Sequence, residues 1–107
     1  MSFDVERVSY ELIATLRPLL LRIQRRDRAL AVQLTRAASS ISLNVSEASY
    51  SDPGNKRARF FTAAGSANET RAALRVAMAW GYLTHAEAQG PLLLLDRILA
   101  MLWKLSR

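Results

Sequence analysis

The apolar residues of this chain recur at steps of three and four almost from end to end, and that period leaves little room for anything but packed α-helices. Val5, Val8, Leu12, Leu16, Leu19 and Ile23 step by 3, 4, 4, 3 and 4, a single stripe along one helix. The pattern resumes through Leu30, Leu34, Ala37, Ile41 and Val45, with Asp27 placed to accept from the first free N–H groups. It breaks at Ser49-Tyr50-Ser51-Asp52-Pro53-Gly54-Asn55, where Asp52 reads as an N-cap and Pro53 as the first helical residue. The third stretch is rich in small residues, among them Ala63, Ala64, Gly65, Ala67, Ala73 and Ala77, which let helix axes approach closely. Gly81 stands where that helix should end, and Thr84 with Glu87 three residues on forms a capping box for a fourth.

Helices are therefore predicted over about 3–24, 28–49, 53–80 and 85–106, joined by short connections. This is an all-α, antiparallel up-down-up-down four-helix bundle, one domain over residues 1–107. Only 4 glycines and 3 prolines punctuate the chain, too few for a many-stranded β fold. Pro18 lies inside the first stripe and predicts a bend, because it cannot donate to the carbonyl of Ala14. Gly90-Pro91 predicts an interruption, with the fourth helix restarting at Pro91. Beyond it Leu92, Leu95, Leu99 and Leu102 make one apolar seam, and Leu94, Ile98, Met101 and Leu105 make another, widened by Leu93 and Trp103. One bundle needs one such stripe per helix, so the surplus predicts burial against further copies of the chain, a homo-oligomer.

Several chemistries are excluded directly. With no cysteine and one histidine there is no disulfide scaffold, thiolate site or multi-histidine metal centre. The carboxylate-bridged di-metal site of some helical bundles needs Glu-x-x-His pairs, but three residues before His85 stands Tyr82. If the second and third helices turn about Asp52-Pro53, facing residue numbers sum to about 105. Glu47 then lies opposite Ala58 and Glu69 opposite Arg36, leaving the two acids roughly 16 Å apart along the hairpin. They are expected to pair instead, Glu69 with Arg36 and Glu47 with the Lys56–Arg59 run. Arg36, Asn44, Glu47 and Glu69 are thus read as structural polar groups on packed faces. Breaking such a pair costs about 3–5 kcal/mol if it is buried.

Ser39, Ser42, Ser46 and Ser49 share a helix face but have no histidine or lysine partner, so no nucleophile is assigned. His85 belongs to the capping box, and no glycine-rich phosphate loop is present. No catalytic residue, metal or cofactor is expected. No apolar run nears the roughly 18 residues of a membrane span. The acidic opening Met1–Glu6 is unlike a signal peptide, so a cytoplasmic protein without a membrane partner is expected.

Charge carries the remaining signal. Fifteen Lys+Arg stand against 9 Asp+Glu, a formal net charge of +6, and all the bases but Lys56 and Lys104 are arginine, the residue suited to bidentate phosphate contacts. Arg17, Arg22, Arg25, Arg26, Arg28 and Arg36 crowd the end of the first helix and the start of the second, opposed by Asp27 alone. Lys56, Arg57 and Arg59 begin the third helix at the opposite end. Arg71 and Arg75 are expected to point back towards the first cluster. The cluster has no interleaved aromatics, and no helix presents base-reading side chains. These residues predict contact with RNA or DNA phosphates, with little sequence preference. The other reading is a protein adaptor whose arginines serve solubility and docking to an acidic partner.

The second hairpin is specific enough to compare with a family. Leu34-Thr35-Arg36-Ala37-Ala38, then Ile41 and Asn44-Val45-Ser46-Glu47, resembles the signature of the bacterial four-helix bundle proteins also called 23S rRNA intervening-sequence proteins. Ala58-Arg59-Phe60-Phe61, Ala64-Gly65-Ser66-Ala67-Asn68-Glu69 and Trp80-Gly81-Tyr82-Leu83 are similar to that family's second half. The chain departs from the pattern at Ala48, where the family has glycine, and at Arg71, where it often has an acid. The resemblance implies a cytosolic bundle assembling as a homopentamer. Some members are encoded within rRNA intervening sequences. A related branch, the accessory protein of diversity-generating retroelements, binds nucleic acid and a reverse transcriptase, which implies a similar choice of partners here.

Overall fold

Each predicted helix forms, and each ends on the residue chemistry that the sequence supplies. The computed structural model describes residues 2–107, with side chains from residue 4 onward. Its helices are α1 (Ser2–Arg26), α2 (Arg28–Ala48), α3 (Pro53–Ala79) and α4 (His85–Leu105). No strand occurs among the described residues. A single residue, Asp27, joins α1 to α2, and its carboxylate accepts from the N–H of Leu30 at 3.0 Å. Asp52 caps α3 through the N–H of Asn55 at 2.9 Å, with Pro53 in the first turn. That N–H and the Asn55 side-chain amide hold the Asp52 carboxyl below its ordinary pKa. This cap is therefore fully formed above the ordinary aspartate pKa and is lost as pH falls through the lowered one. Thr84 and Glu87 close the capping box of α4 reciprocally, at 3.1 and 2.9 Å.

Short connections make consecutive helices antiparallel. α1 packs on α2 and α4, and α3 packs on α2 and α4, which gives the up-down-up-down square in a body of 42 × 22 × 19 Å. The α1 stripe from Val5 to Ile23 faces inward and is buried throughout, as are Leu30, Leu34, Ala37, Ile41 and Val45 of α2. From α3 the core takes Phe60 and Leu74 with Ala63, Ala67, Ala73 and Ala77, small side chains set against α2. Ser40 and Ser66 meet across that interface at 2.8 Å, and Arg59 reaches Glu47. Both contacts follow the hairpin register expected from Asp52-Pro53.

Pro18 and Pro91 both lie inside continuous helices, which corrects the interruption expected at Gly90-Pro91. α1 continues through Pro18 as one helix. Pro18 and Ala14 are both exposed, so the carbonyl deprived of a partner faces water. α4 likewise neither stops nor restarts at Gly90-Pro91. Gly90 carries no Cβ to collide with the following proline ring, and Pro91 is itself buried as a core side chain.

The two seams of α4 are corrected as well. Its buried line is Ala88, Pro91, Leu95, Ile98 and Leu102, which draws on both predicted seams. Leu92, Leu94, Leu99, Met101 and Leu105 form the shoulders, half-buried and packed against the core. Because α4 lies against both α1 and α3, one bundle covers both shoulders, and the surplus narrows to a few side chains such as Leu93 and Trp103. Leu95→Ala should therefore destabilise the fold by about 2–5 kcal/mol in urea unfolding. Leu21→Ala, on the exposed face of α1, should change stability by no more than about 0.5 kcal/mol.

Candidate functional site

The topology gathers the C-termini of α1 and α3 and the N-termini of α2 and α4 at one end of the bundle. Arg22, Arg25, Arg26 and Arg28 belong to this end. Arg22 forms an ion pair with Glu87 of α4, the residue that also completes the capping box. Arg25 and Arg28 are exposed and have no carboxylate within ion-pair distance among the described residues. The same holds of Arg17, Arg36 and Arg75, which lie farther along the helices. Asp27 and Glu87, the acids of this end, are already committed to capping contacts.

Aromatic residues join these arginines, against the sequence expectation. α3 ends in a Schellman arrangement. The N–H of Gly81 donates to Met78 at 2.9 Å and that of Tyr82 to Ala77 at 2.9 Å, with Gly81 at φ +79°. A residue with a Cβ is strained at that φ, so glycine is required here. The turn carries Tyr82 back across the bundle end, where its hydroxyl donates to Asp27 Oδ2 at 3.2 Å. The Arg26 guanidinium lies 5.6 Å from the Tyr82 ring centroid, within cation–π range. The Trp80 ring lies nearly parallel to Tyr82, at 16° with centroids 6.4 Å apart, and Trp80 is 68% exposed. The sequence signal was present in Trp80-Gly81-Tyr82. It becomes legible once the third turn of an antiparallel bundle is drawn at the same end as the first.

Partial burial, the Asp27 charge and the hydrogen bond to it hold the Tyr82 phenol above its ordinary pKa, with Arg26 acting in the opposite direction.

The other predicted site residues are dispersed. At the far end Arg59 pairs with Glu47 at 2.7 Å, but both side chains are about half exposed, 48% and 57%. Lys56 and Arg57 have no ion pair among the described residues. Glu69 and Arg36 border the same α2–α3 groove, yet both are exposed and no ion pair joins them. The register was sufficient to bring them to one groove but not to bury them. Arg71 does not extend the first cluster. It turns towards α4, held by Asn68 at 2.7 Å and Asp96 at 3.6 Å. Asn44 bonds back to Ser40, at 2.9 Å to its carbonyl and 3.1 Å to its hydroxyl. Ser42 donates to Ser9 of α1 at 2.9 Å, and Ser9 to the Glu6 carbonyl. His85 is exposed in the first turn of α4. No three His, Asp or Glu side chains come together among the described residues, and no helix is long and apolar enough to cross a membrane.

A family model for the 23S rRNA-intervening sequence protein matches residues 3–104. No curated protein matches the chain. Among solved structures, the chain is similar to a protein of unknown function from the S23 ribosomal protein family of Bacteroides thetaiotaomicron VPI-5482. The TM-score is 0.89 at 20% identity, over 96% of this chain and 98% of that one. At that identity the likeness speaks for the fold alone.

The geometry generates two expected outcomes. In a Tyr10→Phe, Tyr50→Phe background, ultraviolet titration should show Tyr82 ionising above the ordinary tyrosine pKa of about 10. Asp27→Asn should lower that pKa by removing the charge. A raised pKa favours the neutral phenol in the fold. Its contribution is thus complete below about pH 10 and is lost as pH rises through the folded pKa. Glu47→Gln should cost no more than about 1 kcal/mol in urea unfolding, because the pair it breaks is solvated.

Proposed function

The chain belongs to the 23S rRNA-intervening sequence protein family, and from that premise we propose a non-enzymatic, self-associating bundle that holds RNA or DNA backbone through its arginine end. One observation carries the reading. Arg25 and Arg28 stand exposed beside Arg26 without ion-pair partners, at an end where both nearby acids are occupied by helix caps. Arginines in that setting are available to phosphates, and the counterions released from the nucleic acid supply most of the driving force. The formal charge of +6 favours encounter with any polyanion. The family name points to RNA, and the family resemblance points to five copies.

Self-association has its own support. Phe61, Leu99 and Trp103 border a groove between α3 and α4, with Phe61 73% and Trp103 61% exposed. Large apolar side chains grouped in this way mark a surface that is covered in use. The same groove favours the second reading, an adaptor that docks another protein, a reverse transcriptase among the candidates. Against catalysis stand the separation of Glu47 from Glu69 along the α2–α3 hairpin and the hydrogen bonds that tie Ser42 to Ser9 and Asn44 to Ser40.

Binding of structured RNA and duplex DNA across a salt series tests the proposal, with mass measured in the same buffers. Affinity should fall linearly in log–log form. Neutralising Arg25, Arg26 and Arg28 together with glutamine should reduce the slope by about 2–3. The mass should be a multiple, five-fold on the family resemblance, of the 11.9 kDa chain. An assembled protein that binds neither probe at about 50 mM salt would leave the adaptor reading in its place.

A further inference from the structure

We propose that the nucleic acid held at the arginine end is single-stranded there, with an unpaired base stacked on the indole of Trp80. This rests on the reading of the arginine end as a phosphate-binding surface and specifies which form of nucleic acid that surface takes. The occupant follows from three observations together. Trp80 is a large, mostly exposed aromatic whose backbone is fixed by the end of α3, its N–H donating to Val76 at 3.0 Å and the next residue bent through φ +79°. It is not an isolated surface residue, since Tyr82 stacks beside it and Arg26 lies over Tyr82. Arg25, Arg26 and Arg28 stand at the same end of the bundle, Arg26 in contact with the cluster through Tyr82, so whatever covers the indole meets a positive field.

A flat π-face beside clustered guanidinium groups matches one chemistry better than others, a base attached to its own phosphates. In a duplex the bases are already stacked and their faces closed, so an exposed indole gains nothing from them. A single strand offers both faces, and base–aromatic stacking is tolerant of sequence. Tyr82 is not a second platform of equal freedom. Its hydroxyl is tied to Asp27 and Arg26 lies over its ring, so its part is to hold Trp80 and Arg26 in register. The turn is already held by its own hydrogen bonds and by that of Tyr82 to Asp27, which reduces the ordering cost of binding.

The test uses the full chain in a Trp103→Phe background, so that Trp80 is the sole tryptophan reporter. Three probes of one mixed sequence are titrated: single-stranded RNA, single-stranded DNA and the DNA duplex. Both single strands should quench Trp80 fluorescence and the duplex should not, while the relative affinities of the two strands separate RNA from DNA as the source. Trp80→Ala should weaken single-strand binding about 5- to 150-fold at an unchanged salt slope and leave duplex binding as it was, with Trp80→Phe retaining most of the affinity. Arg25→Gln with Arg28→Gln should weaken all three probes and flatten the slope. If the arginine variants behave so but Trp80→Ala alters nothing, or alters duplex and single strand equally, the stacking inference falls and the phosphate-binding reading stands. If no probe binds the unaltered protein, both fall. If Trp80→Ala changes the assembled mass along with affinity, Trp80 belongs to a subunit contact and the inference is overturned.

Discussion

A helical chain that reverses direction through one residue must satisfy the last carbonyls of one helix and the first N–H groups of the next with almost nothing in between. Asp27 does this alone. Its N–H closes α1 onto Ile23 at 2.7 Å, its carbonyl accepts from Ala31 at 3.1 Å, and its carboxylate caps Leu30. The second carboxylate oxygen then accepts from Tyr82, fifty-five residues away, which ties the first turn of the bundle to the third. Replace this residue by one that cannot accept, and the cap, the interhelical tie and the placement of Trp80 would loosen together. The arginines around it depend on the same economy. A carboxylate whose two oxygens already accept from Leu30 and Tyr82 has fewer lone pairs to offer the neighbouring guanidinium groups.

Only some of the basic charge is available to a partner. Arg22, Arg59 and Arg71 have carboxylates within ion-pair distance and Arg26 an aromatic ring. These contacts are at least partly solvated, so each is weak as a source of stability. They matter more for direction, because a guanidinium already oriented by a neighbour presents its remaining N–H groups along a fixed line. Arg25 and Arg28 are held by no such contact and follow whatever anion approaches.

The helices were legible because their ends are written in local chemistry, Asp27, Asp52 with Pro53, Gly81, and Thr84 with Glu87. The α1 and α2 stripes were legible because each faces a single core line. α4 was misread because its apolar residues occupy three adjacent rows, and sequence spacing alone does not say which row points inward. The middle one does, since α4 touches α1 on one side and α3 on the other. Pro91 misled for a different reason: Gly90 before it has no Cβ to meet the proline ring, and burial of that ring in the core offsets part of the cost of the missing N–H. Glu69 shows the limit of register arithmetic, which fixes height along a hairpin but not the azimuth of a side chain about its helix. The same limit misplaced Arg71, whose azimuth favours α4.

The aromatic cluster was missed for a different reason, and that reason bears on function. Interleaving was sought along the sequence, whereas an up-down bundle interleaves its turns in space. Residues 26 and 82 are brought together only because an even number of helix lengths separates them. Such a bundle needs little more than a repeated apolar spacing to form its core, and the B. thetaiotaomicron protein shares this fold at 20% identity. The shared architecture therefore carries little information about partners. What bears on a partner is the content of the turns. At one end, a single-residue connection flanked by arginine faces a glycine turn flanked by Trp80 and Tyr82. The first supplies charge without geometry and the second geometry without charge, and Asp27 joins them. On the proposed reading, charge would draw in any polyanion and the aromatic turn would tell a strand whose bases are open from one whose bases are closed, which charge alone cannot do.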